Sequence, residues 1–312
     1  FCQQPREGNF FTIRKSEKRK KGQSNPLPRS TEKDWRGDFS YMYKLGKYQF
    51  ETFKYRPGHR ANYAVLDKLG NNREWGIKYS PSYSYSREFD VLKKLSHPQI
   101  PKRYDCGKSD LFENDKHVLN EYYIVEQHFE GEDIVQYYKD KGVPDSGEME
   151  NIVKYFSSVS EPLLYLHSQR KSVHTDIKPG HLILNPDTGV VGLIDLELTI
   201  KIGEVIKGMT KEYASPEQKQ MGELLKAASD KKDEKLALSQ VKIDGRTDLY
   251  SIGLILFEVL TGQLWVNASQ APININKSVP QKLNEITIGL LEVDPAHRIP
   301  SAEKLKEELA RV

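Results

Sequence analysis

His174-Thr175-Asp176-Ile177-Lys178-Pro179-Gly180-His181-Leu182-Ile183-Leu184, followed by Gly192-Leu193-Ile194-Asp195-Leu196-Glu197, is the stretch on which the reading of this chain turns. Two acidic residues, Asp176 and Asp195, stand nineteen positions apart in apolar, strand-like flanks, with Pro179 and Gly180 between them. Phosphoryl transfer needs such a pair. One carboxylate orients an attacking hydroxyl and accepts its proton, and the other holds Mg²⁺ against the phosphates. Lys178, two positions after Asp176, can neutralise charge on the transferred group.

Upstream, short strand-like runs predominate. Gln49 to Tyr55 alternates with aromatics, Tyr63 to Leu66 is a second run and Trp75 to Tyr79 a third. Gly70-Asn71-Asn72 suits a hairpin turn between the last two. Ser86 to Leu95 reads as a helix with Phe89, Leu92 and Leu95 on one face, and Tyr122 to Glu126 as a further strand. After about residue 131 the chain turns helical. Ile152, Phe156, Val159, Leu163 and Leu166 recur at gaps of four and three, with Pro162 inside the helix expected to bend it or remove a hydrogen bond. Asp248 to Thr261 is apolar nearly all round and belongs at the centre of a large core. A strand-rich part followed by a helix-rich part is an α+β chain with two lobes.

The Asp176 and Asp195 segments resemble the catalytic loop and the metal-binding motif of protein kinases, although Ile-Asp-Leu-Glu at 194–197 is as similar to the choline and aminoglycoside kinase pattern. The flanks favour the protein kinases. Thr210-Lys211-Glu212-Tyr213-Ala214-Ser215-Pro216-Glu217 is similar to the end of their activation segment. Asp248-Leu249-Tyr250-Ser251-Ile252-Gly253 resembles the start of their buried central helix, and Asp294-Pro295-Ala296-His297-Arg298 their late arginine motif. The resemblance runs from Phe50 to Leu305 and implies a two-lobed protein-kinase-like fold, with a small antiparallel β lobe carrying one helix and a larger helical lobe. It further implies a buried Glu217–Arg298 ion pair, and Asp248 bracing the catalytic loop. Lys178 and Thr210 are similar to the serine/threonine subgroup, so the implied acceptor is a Ser or Thr hydroxyl of a protein. Trp75-Gly76-Ile77-Lys78 resembles the strand with the phosphate-anchoring lysine, with Glu88 as its partner. Tyr123 to His128 resembles the segment that binds adenine through its backbone, including Glu126 and His128. Val125 takes the gatekeeper position, Glu132 reaches the ribose, and Val65, Gly76 and Ile183 sandwich the adenine or simply pack the core.

Four features depart from the family pattern. Gly58-His59-Arg60-Ala61-Asn62-Tyr63-Ala64-Val65 keeps only the first glycine of the phosphate loop, so either Arg60 contacts phosphate with its guanidinium or the loop holds nucleotide weakly. His181 stands at the second metal ligand, normally Asn; it either binds metal through an imidazole nitrogen or hydrogen-bonds within the loop. Glu197 replaces the glycine after Asp195-Leu196 and could supply metal charge. Thr175 replaces the arginine that pairs with a phosphorylated activation loop, which implies activity without loop phosphorylation.

The chain has 312 residues, 37 % apolar and 29 % charged, and a net charge of +3, which argues against a nucleic-acid partner. The apolar run from Ile252 to Leu260 is broken by Gly253 and Glu258 and does not span a bilayer. Cys2 and Cys106 are too few for a disulfide framework, which favours a reducing, cytoplasmic compartment. A first residue Phe1 suggests a fragment. The expected organisation is a basic, disordered arm at 1–40, a first lobe at 41–130 and a second at 131–312 with a charged, solvated insertion at about 219–244. The expected activity is transfer from ATP, with Mg²⁺ or Mn²⁺, to Ser or Thr of a protein. The alternatives are a pseudokinase serving as a binding module, and a kinase-fold enzyme acting on a small molecule or transferring AMP.

Overall fold

The computed structural model describes residues 43–50, 62–66, 75–80, 84–113, 115–228, 231–265 and 270–312. The expected arm at 1–40, the hairpin turn at 70–72, and Gly58 and Arg60 of the phosphate loop lie outside them. The chain forms two units.

The first unit comprises described residues up to Phe89 together with Arg103–His128. It holds β1 (Tyr43–Leu45), β2 (Tyr48–Phe50), β3 (Asn62–Leu66), β4 (Trp75–Ser80), the start of α1 (Ser86–Leu92), β5 (Arg103–Glu113) and β6 (Lys116–Gln127). Among the described residues the strands make one antiparallel sheet in the order β2-β1-β5-β6-β4-β3. Leu45, Tyr48, Trp75, Ile77, Tyr79, Leu111, Tyr123 and Val125 pack into one apolar cluster. Because side chains alternate along a strand, Gly76, Lys78, Ile124 and Glu126 belong to the opposite face. Helix α1 is shorter than the periodicity predicts; after Leu92 only single turns follow, Lys94 N–H to Val91 and Leu95 N–H to Leu92. Cys106 is buried in β5.

The second unit comprises Asp90–Lys102 and Phe129–Val312. Its elements are β7 (Glu132–Asp133), α2 (Ile134–Lys141), α3 (Met149–Leu164), β8 (Ser172–Val173), β9 (Leu182–Asn185), β10 (Val190–Leu193), β11 (Ile200–Lys201), α4 (Pro216–Ala227), α5 (Lys231–Gln240), α6 (Gly245–Thr261), α7 (Pro272–Ile275), α8 (Gln281–Leu290) and α9 (Ala302–Leu309). Two small sheets, β10-β9-β7 and β11-β8, carry the loops that matter for chemistry. Helix α6 is the expected central helix, buried at every residue from Thr247 to Thr261. Asp244 caps its first turn by accepting the Arg246 N–H, and Gly262 ends it in the left-handed region at φ +68°.

Pro162 acts as expected, and the freed group finds a use. Without an N–H on Pro162, the Ser158 carbonyl of α3 lacks its usual helical donor. Gln99 Nε2 donates to that carbonyl at 2.8 Å, and also contacts Ser158 Oγ at 2.8 Å and the Val191 carbonyl at 2.9 Å. One amide thus joins α3 to β10 and to the Asp90–Lys102 segment. The helix then continues as a single π-turn at Tyr165–Gln169.

Within 219–244 the described residues form the end of α4, up to Ala227, and α5, and the stretch is not merely solvated. Met221, Val241 and Ile243 are buried against Val173, Ile200 and Ile206, with Leu224, Leu225 and Leu238 packed on them. Glu223, Lys226 and Lys235 are exposed. Among the described residues no helix is long and apolar enough to cross a membrane.

Candidate active site

In the first unit, the sheet sets the lysine. Lys78 Nζ lies 2.7 Å from Glu88 Oε1, which α1 brings under β4. The pair predicted from a spacing of ten residues is therefore formed, and both side chains are buried. A second carboxylate joins them: Glu126 Oε1 is 3.0 Å from the same ammonium. Val125 does not approach it. In the β4–β6 register Val125 sits opposite Ile77 and packs with it in the apolar cluster, while Glu126 sits opposite Gly76 on the face of Lys78. The residue beside Lys78 is thus Glu126, one position on from the expected gatekeeper. Val65 of β3 is in register with Gly76, and His128 follows β6 at the end of the unit.

In the second unit, Asp248 at the start of α6 holds the catalytic loop as the resemblance implies. Its carboxylate accepts the His174 N–H at 2.8 Å and the Thr175 N–H at 2.9 Å, and meets His167 Nε2 at 2.8 Å. Thr175 has φ +65°, a left-handed backbone that a β-branched residue adopts only under constraint. The constraint is visible: Thr175 Oγ1 donates to the Leu198 carbonyl at 2.8 Å, and Gln218 Nε2 donates to the Thr175 carbonyl at 2.6 Å. Gln218 is itself fixed by a capping box with Ser215 at the start of α4. Sequence reading passed over Gln218 and His167. Ser215 followed three residues later by a glutamine was the available signal for the first; nothing local marked the second.

Asp176 is positioned by two donors on one oxygen. Oδ1 accepts the Thr210 N–H at 2.9 Å and its Oγ1–H at 2.7 Å. Lys178 Nζ lies 3.4 Å from the other oxygen, Oδ2. The predicted trio Asp176, Lys178 and Thr210 is therefore assembled.

Of the two alternatives for His181, the hydrogen bond within the loop is formed. Nδ1 lies 2.7 Å from the Asp176 carbonyl, an acceptor only, so Nδ1 carries the hydrogen. Burial lowers the imidazole to about 4, with the Asp195 carboxylate opposing, so near neutral pH the ring is uncharged and Nε2 presents a lone pair. That nitrogen faces Asp195 Oδ2 at 3.1 Å. Two ligands of one octahedral cation, bonded at about 2.1 Å and at right angles, stand about 3 Å apart. A neutral nitrogen and a carboxylate oxygen at this separation fit a divalent cation completed by water and phosphate oxygens. Among the described residues no cluster of three His, Cys, Asp or Glu side chains forms a metal cage by itself. Asp195, two residues after β10, has φ +62°, a left-handed backbone. Glu197 stands in the turn that follows, partly exposed.

Glu132 of β7 lies opposite Leu184 of β9 and Asp133 opposite Ile183, so Glu132 and Ile183 belong to opposite faces of this small sheet. Gly131 makes this pairing possible. Its φ is +133°, and a Cβ there would lie 2.1 Å from the Leu184 carbonyl oxygen. The ion pair predicted at the far end of the unit is also present, with Arg298 Nη1 2.9 Å from Glu217 Oε1.

A sheet unit with a lysine–glutamate pair, and a helical unit with an aspartate-bearing loop braced from a central helix, define the protein kinase class. The comparison with known families agrees: the protein kinase domain matches residues 70–310. This chain belongs to the protein kinase family. It is similar to the serine/threonine-protein kinase PksC of Streptomyces coelicolor, 27 % identical over 299 residues, covering 86 % of this chain and 49 % of that one. It is likewise 27 % identical over 282 residues to the serine/threonine-protein kinase PrkC of Bacillus subtilis, covering 81 % and 38 %. A probable serine/threonine-protein kinase of Saccharomyces cerevisiae, HSL1, is 25 % identical over 248 residues, covering 73 % and 14 %. The chain thus spans half or less of the length of these relatives.

Proposed function

We propose that this chain transfers the γ-phosphoryl group of ATP to Ser or Thr hydroxyls of protein substrates. The observation that carries the reading is the state of Asp176: Thr210 occupies Oδ1, which leaves Oδ2 to face a hydroxyl, with Lys178 beside it. In the reaction the substrate oxygen forms a bond to the γ-phosphorus as the bond from phosphorus to the β–γ bridging oxygen breaks. The hydroxyl proton goes to Asp176 Oδ2 and ADP leaves. Lys178 offsets charge on the transferred group, and Lys78, oriented by Glu88, anchors phosphate oxygens. Asp195 and His181 would hold Mg²⁺ or Mn²⁺, which when bound neutralises the phosphates; Glu197 adds negative charge nearby. Val65, Gly76, His128, Glu132 and Ile183, with the backbone of Glu126, are assigned to the nucleoside, and the reaction is placed in the cytoplasm.

The test is incubation with γ-labelled ATP, Mg²⁺ or Mn²⁺ and a basic protein acceptor, beside Asp195→Ala. Label should appear on Ser or Thr of the acceptor and fall to background in the variant. Equal transfer by both proteins would remove Asp195 from the mechanism. A second reading, a pseudokinase acting as a binding module, is favoured by one observation: Glu126 already shares the ammonium that phosphate would need. A folded protein with neither transfer nor a nucleotide-induced rise in melting temperature would establish it.

Control by loop phosphorylation is not expected. The group at 175 is an uncharged hydroxyl already donated to Leu198, so nothing at that position can pair with a phosphate. Treatment with a broad phosphatase, later removed, should leave at least half of the transfer rate. Complete loss of activity would show that a phosphorylated residue is required.

A further inference from the structure

The Lys78 ammonium is held by two buried carboxylates where the reaction needs one. Nζ is 2.7 Å from Glu88 Oε1 and 3.0 Å from Glu126 Oε1, and the three side chains are 4 %, 1 % and 2 % exposed. Counted formally, one ammonium and two carboxylates leave one negative charge among these three buried groups. The second oxygen of Glu126, Oε2, has no hydrogen-bond partner among the described residues. A buried carboxylate oxygen left without a donor is costly, so the cluster is not built for stability alone. Glu126 shares the face of Lys78 because β6 pairs it with Gly76, two residues before the lysine on β4.

We propose that Glu126 is a positioning residue that competes with the nucleotide for Lys78 and thereby sets a weak resting affinity for ATP. The inference rests on the reading that ATP binds through Lys78. An N–H directed at Glu126 is not available to a phosphate oxygen, and the surplus carboxylate repels a polyphosphate. Binding therefore requires the ammonium to exchange one carboxylate for phosphate, whereas Glu88 keeps it aligned in both states. Removing the charge of Glu126 while keeping its shape should release Lys78 to the nucleotide.

The test is titration with a fluorescent ATP analogue and Mg²⁺ of the unaltered chain, Glu126→Gln, Lys78→Met and the double variant, each first shown to be folded by its thermal melt. Glu126→Gln is expected to bind about tenfold more tightly. The gain should vanish in the Lys78→Met background, which a merely structural role would not produce. Unchanged or weaker binding by Glu126→Gln, or a gain that persists without Lys78, overturns the proposal. Glu126→Asp, one methylene shorter, gives a second variant and should shift affinity in the same direction by less. If no form binds the analogue, the ATP reading fails, and the clamp is judged by a nucleotide-free measurement. That measurement is the acetylation rate of Lys78 by a succinimidyl ester, read by peptide mass spectrometry against the half-exposed Lys139. Faster labelling of Lys78 in Glu126→Gln, with Lys139 unchanged, supports the clamp; an unchanged rate overturns it.

Discussion

Asp176→Asn is expected to lower phosphoryl transfer to a protein acceptor by about 10²- to 10⁴-fold, the range a general base contributes. The substitution is a narrow probe because of how the carboxylate is held. Thr210 donates twice to Oδ1, and an asparagine carbonyl oxygen can accept the same two bonds. The loop should therefore keep its shape, together with the backbone contacts of His174 and Thr175 to Asp248. What is lost is the acceptor at Oδ2, replaced by an amide that cannot take a proton. Its hydrogens would also meet the Lys178 ammonium, 3.4 Å away in the native chain. The expected signature is a collapse of kcat with nucleotide affinity and melting temperature preserved. A variant that keeps transfer within tenfold of the native rate removes Asp176 as the base. Thr210→Val, which withdraws the hydroxyl but keeps the backbone donor, should cost less, on the order of tenfold. That difference would separate the base from the residue that aims it.

What could be read from sequence, and what could not, follows from the range of the interactions involved. The Lys78–Glu88 pair, Asp248 under the catalytic loop and the Glu217–Arg298 bond were legible because each residue sits in a recognisable local pattern. The neighbour of Lys78 was not. In a strand, a shift of one position exchanges the two faces, and no turn residue adjacent to Tyr123–Glu126 pins the register. Pairing with β4 does so, and it turns Val125 to the core beside Ile77 and Glu126 to the lysine. The same limit hid the role of Gln99, whose amide serves a carbonyl exposed by a proline sixty-three positions later. Pro162 announced that a carbonyl would lose its donor, but not which distant side chain would replace it. His181 is a third kind of case. Its sequence position does not show that the two imidazole nitrogens have separate neighbours, the Asp176 carbonyl and the Asp195 carboxylate. The charged composition of 219–244 likewise concealed Met221, Val241 and Ile243, whose burial depends on a surface made by β8 and β11.

The largest loss of stability is expected on breaking the ion pair that ties α4 to the segment before α9. Arg298 has a fully buried side chain, and its guanidinium spends its donors on a closed set of partners. Nη1 reaches Glu217 Oε1 at 2.9 Å and the Arg246 carbonyl at 2.6 Å, Nη2 reaches Glu217 Oε2 at 3.2 Å, and Nε the Glu292 carbonyl at 3.0 Å. The plane also lies against the Tyr250 ring, 4.9 Å from its centroid. Thr247 Oγ1 donates to Glu217 as well, at 2.9 Å, one residue before Asp248. Arg298→Ala would strand the Glu217 carboxylate in a buried site with only the threonine hydroxyl to meet it. Removing one partner of such a pair costs about 3–5 kcal/mol. In a unit of this size each kcal/mol lowers the melting temperature by about 2–4 °C, so a fall of about 6–20 °C is expected by calorimetry. Arg298→Lys keeps the charge but not the fork, and should recover only part of it. Glu217→Gln, which leaves a hydrogen-bonding oxygen but an unpaired guanidinium, should be nearly as damaging as Arg298→Ala. A fall of less than about 2 °C in both Arg298→Ala and Glu217→Gln would mean that the carbonyl contacts of the loop, and not the ion pair, hold these elements together. Because Thr247 precedes the residue that braces His174 and Thr175, the loss should extend to activity. At temperatures well below the new melting point, a drop in transfer rate that Arg298→Lys partly restores would place this pair in the support of the catalytic loop.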